Sequence, residues 1–280
     1  MTEAPRRKES AKALISELYE LEELRELESL FATVWGSGEA TPLNTDVLRA
    51  LARSENYVVG ARVGRQLVGG LVGWLGGRPD HTLHLHSHIL GVALDSQFVG
   101  VGFELKQHQR RWCLERGVKV VEWTTDPLVR RNAYFNLSKL GAEAREYLIN
   151  FYGVMTDGIN AGEESDRLLI SWQLDSPQAE AAAEGGSSAP DVDQLLRDGA
   201  VALLSVGAAG EPVAGPAASP RVLTCQVPED IVALRRAAPP IARSWRLALR
   251  RVMSGAMKAG YRVTGATRTG WYVLERRDPE

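Results

Sequence analysis

Cysteine is scarce in this chain: Cys113 and Cys225 are the only 2 among 280 residues, far apart and without metal-ligand spacing. That scarcity excludes a disulfide framework and a thiolate zinc site, and it fits a reducing cytoplasm. Long apolar runs are missing too, since none reaches the ~18 residues that a membrane-spanning helix needs. The opening residues, MTEAPRRKESAKAL, lack the apolar core of a secretory leader, so neither export nor a membrane partner is expected. Charge of one sign is also absent. With 33 Lys and Arg against 35 Asp and Glu, the net charge of −2 gives no global attraction to nucleic acid or to an anionic surface. What remains is 44% hydrophobic and 24% charged, an ordinary globular make-up for one large domain or two modest ones.

The most informative stretch is residues 83–102, LHLHSHILGVALDSQFVGVG. Its first half alternates as a strand does, so His84, His86 and His88 project from one face and Leu83, Leu85 and Ser87 from the other. Three readings of the histidines compete. They are packed core or rim residues, they line a substrate pocket and include a general base, or they bind a metal. No nearby Cys or acidic residue completes a zinc set, so no metal is expected. The second half is a glycine-rich turn, Gln97-x-x-Gly100-x-Gly102, opening into a helix. Glycines there let the backbone approach a ligand, and the free N–H groups of a helix start favour phosphate. An ordinary tight turn is the competing reading.

Elsewhere the periodicity predicts a coarse map. A helix over 11–35 carries Leu14, Leu18, Leu21, Leu24, Leu27, Phe31 and Val34 as a stripe for core packing, with a coiled-coil homodimer as the alternative. A short helix at 45–53 precedes a hairpin of strands 57–63 and 66–74, joined at Gly64-Arg65. A helix over 103–116, closed by Gly117, leads to a strand at 118–124, and strand, helix and strand form a βαβ unit. Pro127 opens a second helix that ends at Leu140-Gly141, and strands at 144–152 and 167–174 flank a loop dense in Gly, Asn and Asp. Residues 176–190, rich in Ala, Ser, Gly and Pro, read as a linker. Beyond it lie strands at 201–206 and 221–226 around a mobile excursion, a short helix from Pro228, a long helix over 239–258 and a final hairpin. On the long helix Ile241, Trp245, Leu249, Val252 and Ala256 form the apolar face, and Arg243, Arg246, Arg250 and Arg251 occupy the others. Without interleaved exposed aromatics, those arginines suit solvent or intramolecular salt bridges rather than nucleic acid.

Residues 45–175 resemble the GNAT acyltransferase superfamily. The resemblance rests on Gly91-Val92 followed at the family's spacing by Gln97, Gly100 and Gly102, then a strand and a helix holding Asn132 and ending at Lys139-Leu140-Gly141. The stretch EWTTDPLVRRNAYFNLSKLGA, with NFYGVMTDGINAG and DRLLISWQL, is also similar to a bacterial branch of predicted GNAT acetyltransferases, which extends the likeness over nearly the whole chain. The resemblance implies an α/β fold with a central mixed, largely antiparallel sheet flanked by helices. It implies an acyl-CoA-binding domain at 1–175, the linker, and a C-terminal α+β extension at 191–280 docked on the first domain.

The implied activity is acyl transfer from acetyl-CoA or another acyl-CoA to a small amine or amino acid by direct attack. A non-catalytic acyl-CoA-binding protein and a transferase using succinyl or longer donors are the alternatives. Leu90, Val92, Gln97, Phe98, Val99, Gly100, Val101, Gly102 and Asn132 are the implied cofactor contacts. His86 matches the position of the family's glutamate base; His88 and Glu122 are further candidates. The family's tyrosine acid is replaced by Leu137, leaving Tyr134 one turn earlier as the candidate acid or a packed core residue. Asp126, Arg130, Arg131 and Tyr152 are the candidate substrate contacts, with surface salt bridges as the bland reading of the first three.

Overall fold

The computed structural model describes residues 13–35, 43–94, 98, 100–154, 164–186 and 189–276, and the chain divides into two compact units, 1–118 and 119–280. The first unit is an antiparallel meander, β1 (Leu14–Glu17), β2 (Tyr57–Val63), β3 (Gln66–Gly77) and β4 (Leu83–Val92). Its helices are α1 (Leu21–Trp35), α2 (Thr45–Arg53) and α3 (Val101–Glu115).

The helix expected from residue 11 starts later, because the described residues before it join the sheet. Ile15 and Ser16 pair with Ala61 and Gly60 of β2, and the Leu18 amide donates to the Val58 carbonyl at 2.9 Å. Leu18 then lies over Gly60, where a Cβ would come within 2.9 Å of it. The helix opens where the Tyr19 and Glu20 amides donate to Glu23 Oε2, at 3.3 and 3.2 Å, a side-chain cap that satisfies two otherwise orphaned donors. Leu24, Leu27, Leu30 and Phe31 are buried, and the leucine stripe packs on the sheet and on Leu48 and Ala52 of α2 within the same unit. Each such side chain contributes about 1.5–3 kcal/mol by leaving water. The close fit comes from bare backbone: a Cβ on Gly70 would meet Leu27 at 2.1 Å, and one on Gly91 would meet Phe31 at 2.9 Å.

In the second unit the strand order is β5 (Val120–Thr125), β7 (Arg167–Gln173), β6 (Glu143–Leu148), β11 (Tyr261–Ala266), β12 (Trp271–Arg276), β10 (Val222–Gln226), β8 (Val201–Val206) and β9 (Pro212–Ala214). Among the described residues of this unit, β8 and β10 are the one parallel pair. The helices are α4 (Arg130–Ala133), which runs into a π-helical turn (Tyr134–Lys139), α5 (Pro177–Ala183), α6 (Val192–Arg197), α7 (Ile231–Ala237) and α8 (Pro239–Lys258). A mixed, largely antiparallel architecture with flanking helices is therefore what the chain adopts.

Several expectations need correction in this unit. The helix after β5 begins at Arg130, not Pro127, because the Leu128 amide donates to Asp126 Oδ1 at 2.9 Å and holds residues 127–129 in a turn. The linker reading fails over Pro177–Ala183, which is the helix α5. Ser176 accepts from the Ala179 amide at 3.2 Å, Pro177 occupies the first turn, and alanines have the highest helix propensity. The excursion after β8 is a hairpin, with Leu204, Ser205 and Val206 paired to Ala214, Val213 and Pro212. On α8 the buried face includes Arg246 and Met253, where the periodicity pointed to Val252. Val263 of β11 pairs with Ala144 of β6, so the C-terminal strands extend the sheet that holds β5–β7, and residues 176–190 lie inside this unit.

Candidate active site

In the first unit β4 delivers the histidines and then the turn. Gly100 caps α3 in a left-handed conformation, φ 101°, that other residues rarely adopt, and the Phe103 and Glu104 amides donate back to its carbonyl. Phe98 is buried, Leu90 and Val92 are half-buried, and a Cβ on Gly102 would lie 3.8 and 3.7 Å from their methyl groups. The first N–H groups of this 15-residue helix, Val101 and Gly102 among them, have no intrahelical acceptor, which makes an anion-binding end beside the last residues of β4. Gln97 and Val99 lie outside the described residues.

His86 and His88 stack with Trp74 of the neighbouring strand, ring centroids 4.9 and 4.7 Å away, and His88 Nδ1 lies 3.4 Å from His86 Nε2. Burial, then the neighbouring His88, pushes the His86 imidazole down to about 4, and desolvation lowers His88 as well. Both shifts favour the neutral imidazole, the form that carries a free nitrogen lone pair. His84 sits over Gly76, where a Cβ would meet its ring at 2.7 Å.

In the second unit Glu122 and Thr124 share one face of β5, half-buried, and the Tyr152 hydroxyl is 3.0 Å from Thr124 Oγ1. The Arg167 guanidinium stands 5.5 Å from the Tyr152 ring. Asp126 is buried and fully engaged. Arg246 holds it with two bonds of 2.9 Å and Arg235 with one of 2.6 Å, so this carboxylate binds its own chain.

Arg130, Arg131 and Tyr134 line a cavity of about 550 Å³ together with Glu229, Asp230 and Arg268. Arg268 lies over the Tyr134 ring at 4.9 Å, and Arg130 pairs with Glu229 at 3.2 Å. Asn132, half-buried on the same turn, donates its amide to the Val129 carbonyl at 3.0 Å. Tyr134 and Arg268 also border a second cavity of about 360 Å³, with Pro190, Asp191 and Trp271. Among the described residues no group of three or more His, Cys, Asp and Glu is placed to hold a metal ion. No described helix is long and apolar enough to cross a membrane.

The chain is similar to solved acetyltransferases. No protein-family model and no curated protein matches it. The ribosomal-protein-S18-alanine N-acetyltransferase of Escherichia coli is 14% identical, with 59% of this chain and 96% of that one covered at a TM-score of 0.47. The Naa50 of Arabidopsis thaliana, in complex with the bisubstrate analogue CoA-Ac-MVNAL, is 19% identical over 57% of this chain and 97% of that one, TM-score 0.46. An acetyltransferase of GNAT family from Streptococcus pneumoniae is 14% identical over 57% and 98%, TM-score 0.46. In each pair nearly all of the acetyltransferase chain is covered by little more than half of this one.

Three residues that matter here escaped the sequence reading. Lys106 of α3 is buried, donating to Ser87 Oγ at 2.9 Å and Gln109 Oε1 at 3.1 Å, and burial pushes its ammonium down to about 7. Its signal was its place on the helix face of Gln109 and Cys113, three and seven residues on. Arg268 falls within the final hairpin and Trp74 within a strand; no local pattern reveals the role of either, because their partners lie on other elements.

Proposed function

We propose that the chain is a coenzyme A-dependent N-acyltransferase that moves an acyl group, acetyl in the first instance, onto a small amine or amino acid. One observation carries this reading: a strand ending at Val92 gives way, through left-handed Gly100, to a long helix whose amino end stands beside Leu90 and Val92. Leu90, Val92, Phe98, Gly100, Val101 and Gly102 are the residues for the acyl-CoA, with the amides of Val101 and Gly102 facing its pyrophosphate. Gln97, Val99 and Asn132 complete the set by resemblance. The motif order and the fold support it. The domain reading stays with it: residues 1–175 as the acyl-CoA-binding domain and 191–280 as a C-terminal α+β extension.

The chemistry asks for little. A neutral amine nitrogen attacks the thioester carbonyl carbon, a C–N bond forms, the C–S bond breaks, and one amine proton leaves as the thiolate gains one. The Val92 amide is the donor for the developing oxyanion. His86 is the leading base, with His88 and Glu122 as further candidates. Tyr134 is the candidate acid for the thiolate. The low basicity of His86 suits a base that receives its proton late, from a nitrogen already made acidic by attack. Cys113 and Cys225, both buried thiols, suit work in the cytoplasm.

The experiment is calorimetry with coenzyme A and acetyl-CoA, followed by a thiol-release screen of acetyl-, succinyl- and longer acyl-CoAs against amines and amino acids. Heat without thiol in any pairing means a binding protein that keeps the fold. No heat with any derivative removes the transferase reading altogether.

A further inference from the structure

Strand β4 is irregular where its histidines lie. Val72 and Gly73 of β3 are adjacent, yet their partners on β4 are Ile89 and Ser87, so His88 is an extra residue with nothing opposite it on β3. A bulge of this kind re-aims a side chain, and bare backbone makes room for it: a Cβ on Gly73 would come within 2.7 Å of the His86 carbonyl oxygen. Ser87 turns toward α3, where Lys106 donates to its hydroxyl at 2.9 Å. His86 and His88 turn to Trp74 instead, and His88 Nδ1 comes to 3.4 Å from His86 Nε2. Alternate residues of a regular strand stand about 6.6 Å apart, so the bulge and the shared packing on Trp74 draw the two rings together. The pair also runs from inside to outside. His86 is half-buried and His88 is exposed, and His86 Nδ1 makes no hydrogen bond among the described residues.

We propose that His86 and His88 form a proton relay, in which His86 takes the proton of the acceptor amine and His88 carries it out to water. The inference rests on the acyl-transfer reading with His86 as its base, and adds the exit for the proton. Position on the strand supports it. From Val92, beside the helix end that faces the pyrophosphate, back to His86 the strand runs about 20 Å at ~3.3 Å per residue, close to the reach of an extended pantetheine arm. In the neutral pair His86 Nε2–H donates to His88 Nδ1, and His86 Nδ1 keeps a free lone pair. As the attacked nitrogen turns acidic, its proton bonds to His86 Nδ1. The Nε2 proton then crosses to His88 Nδ1, and the Nε2 proton of His88 passes to water, so each ring gains one proton and gives one up. Solvent exchange resets the tautomers. A gap of 3.4 Å is long, and catalytic hydrogen bonds of this kind commonly tighten when substrate is bound. The charge of His88 weakens His86 as a base, and His86 is not among what weakens His88, so a proton shared by the pair rests on the outer ring. His84 and Lys106 are the other charges acting on His86, and both act in the same direction.

Two measurements test it. The first needs no turnover: the labelled histidines of the full chain are titrated by NMR in wild type, in H88A and in H88F, which keeps a ring against Trp74 without a nitrogen. Coupled titration is expected, with the His86 midpoint moving up in both variants once the neighbouring charge is gone. An unchanged His86 midpoint overturns the pair. The second is thiol release from acetyl-CoA with the best amine of the screen, in dilute buffer. H88A and H88F are expected to lose about tenfold or more in kcat, short of the roughly 100-fold loss expected of H86A, with the acetyl-CoA KM unchanged. Added imidazole should restore most of the loss in H88A, where it stands in for the missing ring. A kcat that H88A leaves unchanged, or a loss that imidazole does not restore, overturns the relay. If no acyl-CoA releases thiol with any amine, the transferase reading fails and the relay fails with it, even where NMR finds the two rings coupled. If thiol is released and the rings are uncoupled, the relay alone fails.

Discussion

Arg246 grips Asp126 through two parallel bonds, Nη1 to Oδ1 and Nη2 to Oδ2, each 2.9 Å long, with both side chains buried. Arg235 closes on Oδ2 at 2.6 Å, and the Leu128 amide donates to Oδ1. The pair ties the middle of α8 to the turn that sets where α4 begins, and α4 carries Arg130, Arg131 and Asn132. Truncating Arg246 to alanine leaves a buried carboxylate short of a partner, so R246A is expected to lose about 3–5 kcal/mol in urea unfolding. A loss below about 1 kcal/mol would mean that Arg235 suffices.

The same carboxylate makes the fold acid-sensitive. Its burial works toward neutrality, but the Arg246 and Arg235 guanidiniums outweigh that and hold it well below the usual carboxylate range. Because the folded value is depressed, the contribution is complete above the ordinary carboxylate range near ~4 and is lost as pH falls toward the folded value. A urea-midpoint series from pH 6 downward should fall more steeply in wild type than in D126N.

Lys106 behaves in the opposite sense. Its folded value, about 7, lies below the ordinary 10.5, so between the two the unfolded chain binds more protons. Stability is therefore expected to rise as pH increases from about 7 toward 10, after subtracting the same series for K106M. That variant, removing a buried charge for a similar volume, is expected to be at least as stable as wild type at pH 6. A flat difference across this range would show that Lys106 stays charged in the fold.

If His86 is the base, H86A loses about 100-fold in kcat with little change in the acetyl-CoA KM. The acid limb of the wild-type profile, read with an amine of low basicity, then falls near the folded value of about 4 rather than near 6.5. An unchanged kcat in H86A moves the role to His88 or Glu122.

Glycines at two turns are expected to fail for different reasons. Gly100 sits at φ 101° with open space around a would-be Cβ, so G100A costs about 1–3 kcal/mol of backbone strain and weakens acetyl-CoA binding. Gly141 sits at φ 71°, and a Cβ there would lie 2.7 Å from the Gln178 carbonyl oxygen at the start of α5. Backbone cannot yield as a side chain does, so G141A should cost more than G100A in thermal unfolding, with acetyl-CoA affinity unchanged once folded.

Short-range patterns made much of this chain legible. The hairpin at Gly64-Arg65, the strand of His86 and His88, the glycine turn into α3 and the span Pro239–Lys258 all follow from alternation, helical spacing and turn residues. Those signals act over a few residues, and the structure reproduces them. The same local logic misjudged the segment before α1, where Leu14 and Leu18 continue a helical stripe in sequence but pair with β2. It also misjudged the alanine-rich segment that Ser176 caps into α5.

Partnership over long distances was settled by the tertiary fold alone. Asp126 reads as a pocket residue until Arg246, 120 residues later, takes both of its oxygens. Arg268 is one more residue of the final hairpin until Tyr134 lies beneath it. Periodicity says which face of an element is apolar, because that depends on near neighbours. Whether a charge on the other face meets solvent, a counter-ion or a cavity depends on what the rest of the chain brings there, and a linear pattern holds no record of that.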